Sequence, residues 1–232
     1  MNLLIYGERA SEVGDLAKAN GFNLVKFNPE FVASCGGDGT LMKSECDFPG
    51  VPKIILRSSR VCKKCHQMTN EEVLQKVIKG EYMIENYFKV AAKVDNKEII
   101  GLNEIIVHNK DPRQAIRYEI FINNIRVGGE IIGDGVVIST PFGSTGYYRS
   151  ITDSFFEVGI GVAFNNSTEQ SDHMVLSENS EVKIKIMRGP AFVYADNQDE
   201  FIEVKTGEEL IVKKSKHIAK IVKIKQVSGF LN

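Results

Sequence analysis

Along the first third of the chain, short apolar runs alternate with stretches whose apolar positions recur at helical spacing. NLLIY (2–6), NLVKF (23–27), FVASC (31–35) and PKIIL (52–56) predict strands, whereas SEVGDLAKAN (11–20) and GTLMKSEC (39–46) predict helices. That alternation predicts an α/β amino-terminal domain, Rossmann-like, with a parallel sheet. A further helix is expected over NEEVLQKVIKG (70–80), with Asn70 as its N-cap, Glu72 in its first turn and Gly80 at its end.

After about residue 85 the period changes to two. FKVAAKV and KEIIG flank Asp95-Asn96, and RYEIFI and IRVGGEII flank Asn123-Asn124, residues that tolerate the positive φ of a two-residue hairpin. EVKIKIM, AFVYA, EELIVKK and HIAKIVKIK continue the alternation. The expected division is therefore 1–85 as the α/β domain, 86–217 as a mostly antiparallel, β-sandwich-like domain, and 218–232 as a segment that can return to the first.

With 232 residues, 43% hydrophobic and 25% charged, the chain can bury one or two cores. Lys and Arg number 29 against 30 Asp and Glu, a net charge of −1, so no overall basic field points to nucleic acid or to an anionic membrane. Any anion must be held by local geometry. The start MNLLIYGERASE shows no basic leader and long apolar core, and no run of eighteen apolar residues occurs, so a cytoplasmic protein is expected. Cys35, Cys46, Cys62 and Cys65 are too few for a disulfide scaffold and are expected as free thiols. CKKCH (62–66) matches both a haem-attachment pattern and part of a zinc site; without a second ligand pair it reads as a loop with incidental thiols.

Two stretches carry candidate chemistry. SCGGDGTLMKS (34–44) places GGDG between a predicted strand and a predicted helix, where open α/β sheets bind ligands. Gly36, Gly37 and Gly39 let the backbone approach a phosphate, and amide groups at the helix start would hold its oxygens. Asp38 is then either a base that takes a proton from an alcohol attacking phosphorus or a cap for the following helix. GDGVVISTPFGSTGYYRS (133–150) crowds hydroxyls, glycines and two tyrosines against an apolar strand, a composition suited to a sugar and a base or to a polar turn. Asn103 and Glu104, in GLNEIIVH (101–108), stand before another apolar run, where a solvated hairpin rim is the alternative.

GGDGT at 36–40, NE at 103–104 and DGVVISTPFGSTGYYRS from Asp134 together resemble the NAD kinase (ATP-NAD kinase) family, in matching order and spacing. The first motif is shared with lipid kinases; the third is the specific one. The resemblance implies transfer of the terminal phosphate of ATP, or of inorganic polyphosphate, to the adenosine 2′-hydroxyl of NAD. It also implies magnesium with the donor, substrate between the two domains, and a homodimer or homotetramer. By resemblance Asp38 is the general base, and Gly36, Gly37, Gly39 and Thr40 form the phosphate-facing turn. Asn103 and Glu104 face the adenosine or help place the metal, while Thr145, Gly146 and Tyr147 contact the adenosine. Asp134 and Ser150 meet the nicotinamide end, and Asp196 and Asn197, in ADNQ (195–198), are further NAD contacts. No residue is assigned as a resident metal ligand.

The family's G-I-N-x-G-x-L-G-F-L is replaced here by ILRSSRVCKKCH, and its usual alanine by Gly146. Arg57, Arg60, Lys63 and Lys64 in that loop form either a clamp for a polyanionic donor or a solvated basic loop. The remaining alternatives are a different GGDGT-type alcohol or lipid kinase, and a non-catalytic dinucleotide-binding or redox module built around the CxxC.

Overall fold

A computed structural model describes residues 1–7, 10–58, 64, 68–168 and 172–225. The chain forms two compact units: Met1–Tyr87 with the described residues from Ile218 on, and Phe88–His217.

The first unit begins with β1 (Asn2–Gly7), α1 (Ala10–Ala19), β2 (Asn23–Leu24), β3 (Phe31–Gly36), α2 (Asp38–Asp47), β4 (Lys53–Arg57) and α3 (Asn70–Ile78). β1, β3 and β4 pair in parallel, so their carboxyl ends share one edge and the turn after β3 lies on it. β2 is much shorter than NLVKF suggests: only Asn23 and Leu24 pair with β1. One sheet face packs Leu3, Phe31, Ala33, Ile54 and Leu56 against Val13 and Ala17 of α1 and Val73, Leu74 and Val77 of α3. α2 buries Leu41 and Met42.

Its connection to β4 is held by a fully buried ion pair. Lys53 Nζ donates to Glu45 Oε2 at 2.5 Å and to the Phe48 and Val51 carbonyls at 2.7 Å, while Glu45 Oε1 accepts from Gly50 N–H at 3.0 Å. Every charge on this pair has a partner, the condition under which buried ions are tolerated.

The N-cap of α3 is Thr69, not Asn70. Its hydroxyl accepts the Glu72 amide at 3.2 Å and the Glu72 carboxylate accepts the Thr69 amide at 2.8 Å, a complete capping box. Asn70 has other work: its side chain accepts from Arg57 N–H at 2.8 Å and donates to Arg57 C=O at 2.9 Å, fastening the end of β4.

β5 (Tyr82–Val94) runs from the first unit into the second, which continues with β6 (Lys97–Gly101), β7 (Glu104–Asn109), β8 (Ile116–Ile122), β9 (Ile125–Gly133) and β10 (Gly135–Ser139). Then come α4 (Tyr147–Thr152), β11 (Ile160–Asn165), β12 (His173–Leu176), β13 (Val182–Arg188), β14 (Ala191–Ala195), β15 (Phe201–Val204) and β16 (Glu209–Ile224). The end of β16 pairs in parallel with β4 in the first unit.

Within the second unit β16, β13, β8 and β9 pair antiparallel, and β12-β11-β10-β7-β14-β15 form a separate antiparallel sheet. Tyr118, Ile120, Ile184 and Val212 of the first set and Ile105, Val107, Ile138 and Val193 of the second enter one core. This unit is a β-sandwich. Both expected hairpins occur: Val94 pairs with Lys97 and Ile122 with Ile125, with Asp95 at φ 50° and Asn123 and Asn124 at 49° and 66°. Among the described residues no helix is long and apolar enough to cross a membrane.

Candidate functional site

The turn at Gly36–Thr40 is tighter than GGDG followed by TLMKSE suggests. α2 starts at Asp38 itself, and its N-cap is Gly37, which makes no side-chain cap bond. Asp38 therefore does not cap the helix; it lies in the first turn, where a negative charge suits the helix dipole. It is half-buried, and its Oδ1 accepts the backbone N–H of Lys64 at 3.2 Å. Thr40 folds back on the preceding strand, so that a Cβ at Gly36 would collide with Thr40 Oγ1. Only glycine leaves that seat open.

Behind the turn, burial pushes the Cys35 thiol up to about 12, which keeps it protonated and unreactive at neutral pH. Cys35 is buried and Cys46 exposed, both as free thiols. Cys62, Cys65 and His66, with Ser59, Arg60 and Lys63 of the basic loop, lie outside the described residues. Arg57 lines a separate cavity of about 430 Å³ with Glu12 and Asp15, whose lining includes none of Gly36 to Thr40.

In the second unit the sequence-predicted residues gather around the turn between β6 and β7. Glu104 is buried and Asn103 half-buried. Asn103 Oδ1 is buried with no hydrogen-bond partner among the described residues, an acceptor whose loss of water is not yet offset. A Cβ built on Gly146 would stand 3.7 Å from Glu104 Oε2 and 3.8 Å from Asn103 Nδ2, ordinary contacts, so both side chains point toward the start of α4. The loop before α4 rests on the same turn. Thr140 N–H donates to Asn103 C=O at 2.8 Å, Thr140 Oγ1 to Leu102 C=O at 2.7 Å, and Gly143 lies so close to the Asn103 peptide that a Cβ there would overlap its carbonyl oxygen.

Asp196, read from sequence as a contact to NAD, has a different occupation. Its Oδ2 accepts Leu102 N–H at 2.7 Å, and its Oδ1 accepts Asn103 N–H at 2.8 Å and Glu104 N–H at 3.0 Å. Burial raises its carboxyl above the ordinary range, opposed by these three amides and by the charge of Lys89. Asn197, beside it, is exposed.

A second cluster surrounds Asp134. Its carboxylate accepts from Asn109 Nδ2 at 3.3 Å and from Asn166 Nδ2 at 3.1 Å, and Asn165 Nδ2 donates to the Tyr147 hydroxyl at 3.1 Å. Burial raises the Tyr147 hydroxyl, the charge of Asp134 raises it further, and the Asn165 bond pulls it back. Tyr147 and Ser150 line a cavity of about 420 Å³ with Asn165, Asn166, Ser167 and Asp172. Sequence reasoning did not select Asn165, Asn166 or Asp172; the paired asparagines directly after an apolar run, FNNS, were the available signal. Thr145 is half-buried beside Gly146. Reading GSTGYYRS as a turn also missed α4, whose Tyr148 is 1% exposed and packs with Val137 and Ala163 on the outer face of β10 and β11.

Known proteins share this fold. A structure of an NAD kinase from Archaeoglobus fulgidus in complex with ATP superposes with a TM-score of 0.80 at 21% identity, covering 97% of this chain and 94% of that one. Yeast NADH kinase complexed with NADH also gives 0.80, at 16% identity over 96% and 83% of the two chains. At such identities the likeness establishes the fold. By sequence, the chain is 28% identical to an NAD kinase of Saccharolobus solfataricus, over 91% of this chain and 86% of that protein. It is 30% identical to a bifunctional NADP phosphatase/NAD kinase of Methanococcus maripaludis over 82% of its own length, but it spans only 36% of that relative. Residues 102–224, which include the Asn103 turn, the Thr140 loop and Asp196, match the model of the ATP-NAD kinase C-terminal domain, and on that match the chain belongs to the ATP-NAD kinase family.

Proposed function

We propose that the protein is an NAD kinase that moves the terminal phosphoryl group of ATP or inorganic polyphosphate to the 2′-hydroxyl of the adenosine ribose of NAD. The observation that carries this reading is the match of residues 102–224 to the family's C-terminal domain, the segment that holds the acceptor-binding candidates. Asp38 takes the hydroxyl proton as the ribose oxygen attacks phosphorus; one O–P bond forms, the donor's terminal P–O bond breaks, and the shortened donor leaves. Its place in the first turn of α2, beside the glycines of the Gly36–Thr40 turn, supports that role. Gly36, Gly37, Gly39 and Thr40 face the donor phosphates.

Asn103, Glu104, Thr145, Gly146 and Tyr147 hold the adenosine, and Asp134, Ser150 and Asn197 the remainder of the dinucleotide. The orphaned Asn103 Oδ1 gains a partner when a ribose hydroxyl donates to it. Magnesium, bound with the donor phosphates, would neutralise charge on the transferred group. The working form is a cytoplasmic homodimer or homotetramer.

Pure protein incubated with magnesium, NAD and either ATP or polyphosphate is expected to form NADP, read by a coupled NADP-specific dehydrogenase. No NADP with either donor, in protein shown to be folded, overturns the reading.

A further inference from the structure

Residues 102–104 form a turn in which every backbone polar group has a partner. The three amides go to the Asp196 carboxylate at 2.7, 2.8 and 3.0 Å. The Leu102 carbonyl accepts from Thr140 Oγ1, the Asn103 carbonyl from Thr140 N–H and Ser139 Oγ, and the Glu104 carbonyl from Asp196 N–H at 3.1 Å. Buried backbone groups must be satisfied, and here a side chain 94 residues away does it where strand pairing is interrupted. Gln198 Nε2 adds a bond to the Ile100 carbonyl at 2.8 Å, and a Cβ at Gly101 would collide with the Glu104 carbonyl oxygen. The turn is gripped from both ends.

We infer that Asp196 is a positioning residue for the acceptor site: its carboxylate, facing three convergent amides, fixes the backbone from which Asn103 and Glu104 are presented. This rests on the kinase reading above. A carboxylate can receive three N–H donors because it offers acceptors on both oxygens. No neutral side chain of the same size does so: in an asparagine one oxygen becomes an NH₂ that faces a backbone donor. Losing the clasp frees the Asn103 and Glu104 side chains from a set geometry, and displacements near 1 Å cost about a hundredfold in rate. Because Asp196 acts through Asn103 and Glu104, which the reading above assigns to the adenosine of the acceptor, its loss falls on the acceptor and leaves the donor's KM where it was.

The test is D196N, with D196S as the second variant should the first fail to fold, measured beside N103A and the double variant. Three quantities are read: KM for NAD and for ATP, kcat, and hydrogen exchange of the amides of residues 102–104. D196N is expected to raise KM for NAD about tenfold and lower kcat/KM for NAD by about a hundredfold, with KM for ATP unchanged. Exchange at 102–104 should accelerate at least about tenfold, and N103A should cost much less in the D196N background than alone. The inference is overturned by additive losses in the double variant. It is equally overturned by faster exchange with an unchanged KM for NAD, or by a fall in kcat with both KM values intact, which marks lost active protein. Should the wild-type protein make no NADP, the kinase reading fails separately. NAD titration with the exchange measurement then decides the clasp, and unaltered NAD affinity in D196N refutes it.

Discussion

Asp38 and Asp196 each belong to a short turn beside a strand, yet the backbone donors gathered on them differ. Asp38 begins a helix whose N-cap is Gly37, and its Oδ1 accepts a backbone N–H, that of Lys64. Asp196 turns inward and gives both oxygens to the backbone of another segment. Residue type alone does not assign a role to an acid; the donors around it do. Where a distant backbone presents three amides at once, as at residues 102–104, a carboxylate becomes scaffold.

The largest effect that separates the two is expected at Asp38. D38N should lower kcat by roughly a hundred- to ten-thousand-fold, the usual worth of a general base, without moving the melting temperature or NAD affinity. A parallel drop in thermal stability, seen by calorimetry, would instead put Asp38 in the scaffold beside Asp196.

Next comes Lys53, which anchors the far end of the helix that Asp38 begins. K53M leaves Glu45 buried without its cation and should reduce unfolding free energy by about 3–5 kcal/mol in urea titration. Catalysis by the protein that remains folded should be close to normal, because neither side chain belongs to the Gly36–Thr40 turn. A stability change under about 1 kcal/mol would mean that the pair is not acting as a buried ion pair.

The smallest effect is expected at the cap of α3. T69A removes one half of the box with Glu72 and should cost about 1 kcal/mol. The Thr69 amide, then its hydroxyl, hold the Glu72 carboxyl below its ordinary range. A carboxyl lowered on folding adds stability above its unfolded pKa, and that stability is lost as pH falls through the folded value. The difference between wild type and T69A should therefore be full at neutral pH and shrink in acid; a pH-independent difference would point to helix propensity instead.

Periodicity made the architecture legible. Parallel β1, β3 and β4 follow from apolar runs separated by helical spacing, and Asn123-Asn124 announced a hairpin because few other residues accept two successive positive φ values. Motif order picked out the family. What stayed hidden depends on contacts distant in sequence. The bond between Asp196 and the Leu102 amide exists only once β14 lies beside β7. α4 was hidden for another reason: it is too short for a helical period, and Gly146 starts it without a side-chain cap. The N-cap of α3 was misplaced by one residue because Thr69 and Asn70 are both good caps, and the choice falls to Glu72, three positions after Thr69.

Gly143 has a consequence for how this scaffold can change. The Asn103 peptide occupies the volume in which any side chain at 143 would begin. Mutational drift at that position is closed by geometry rather than by chemistry. Selection for a new acceptor would thus have to find its raw material elsewhere and leave this close approach untouched.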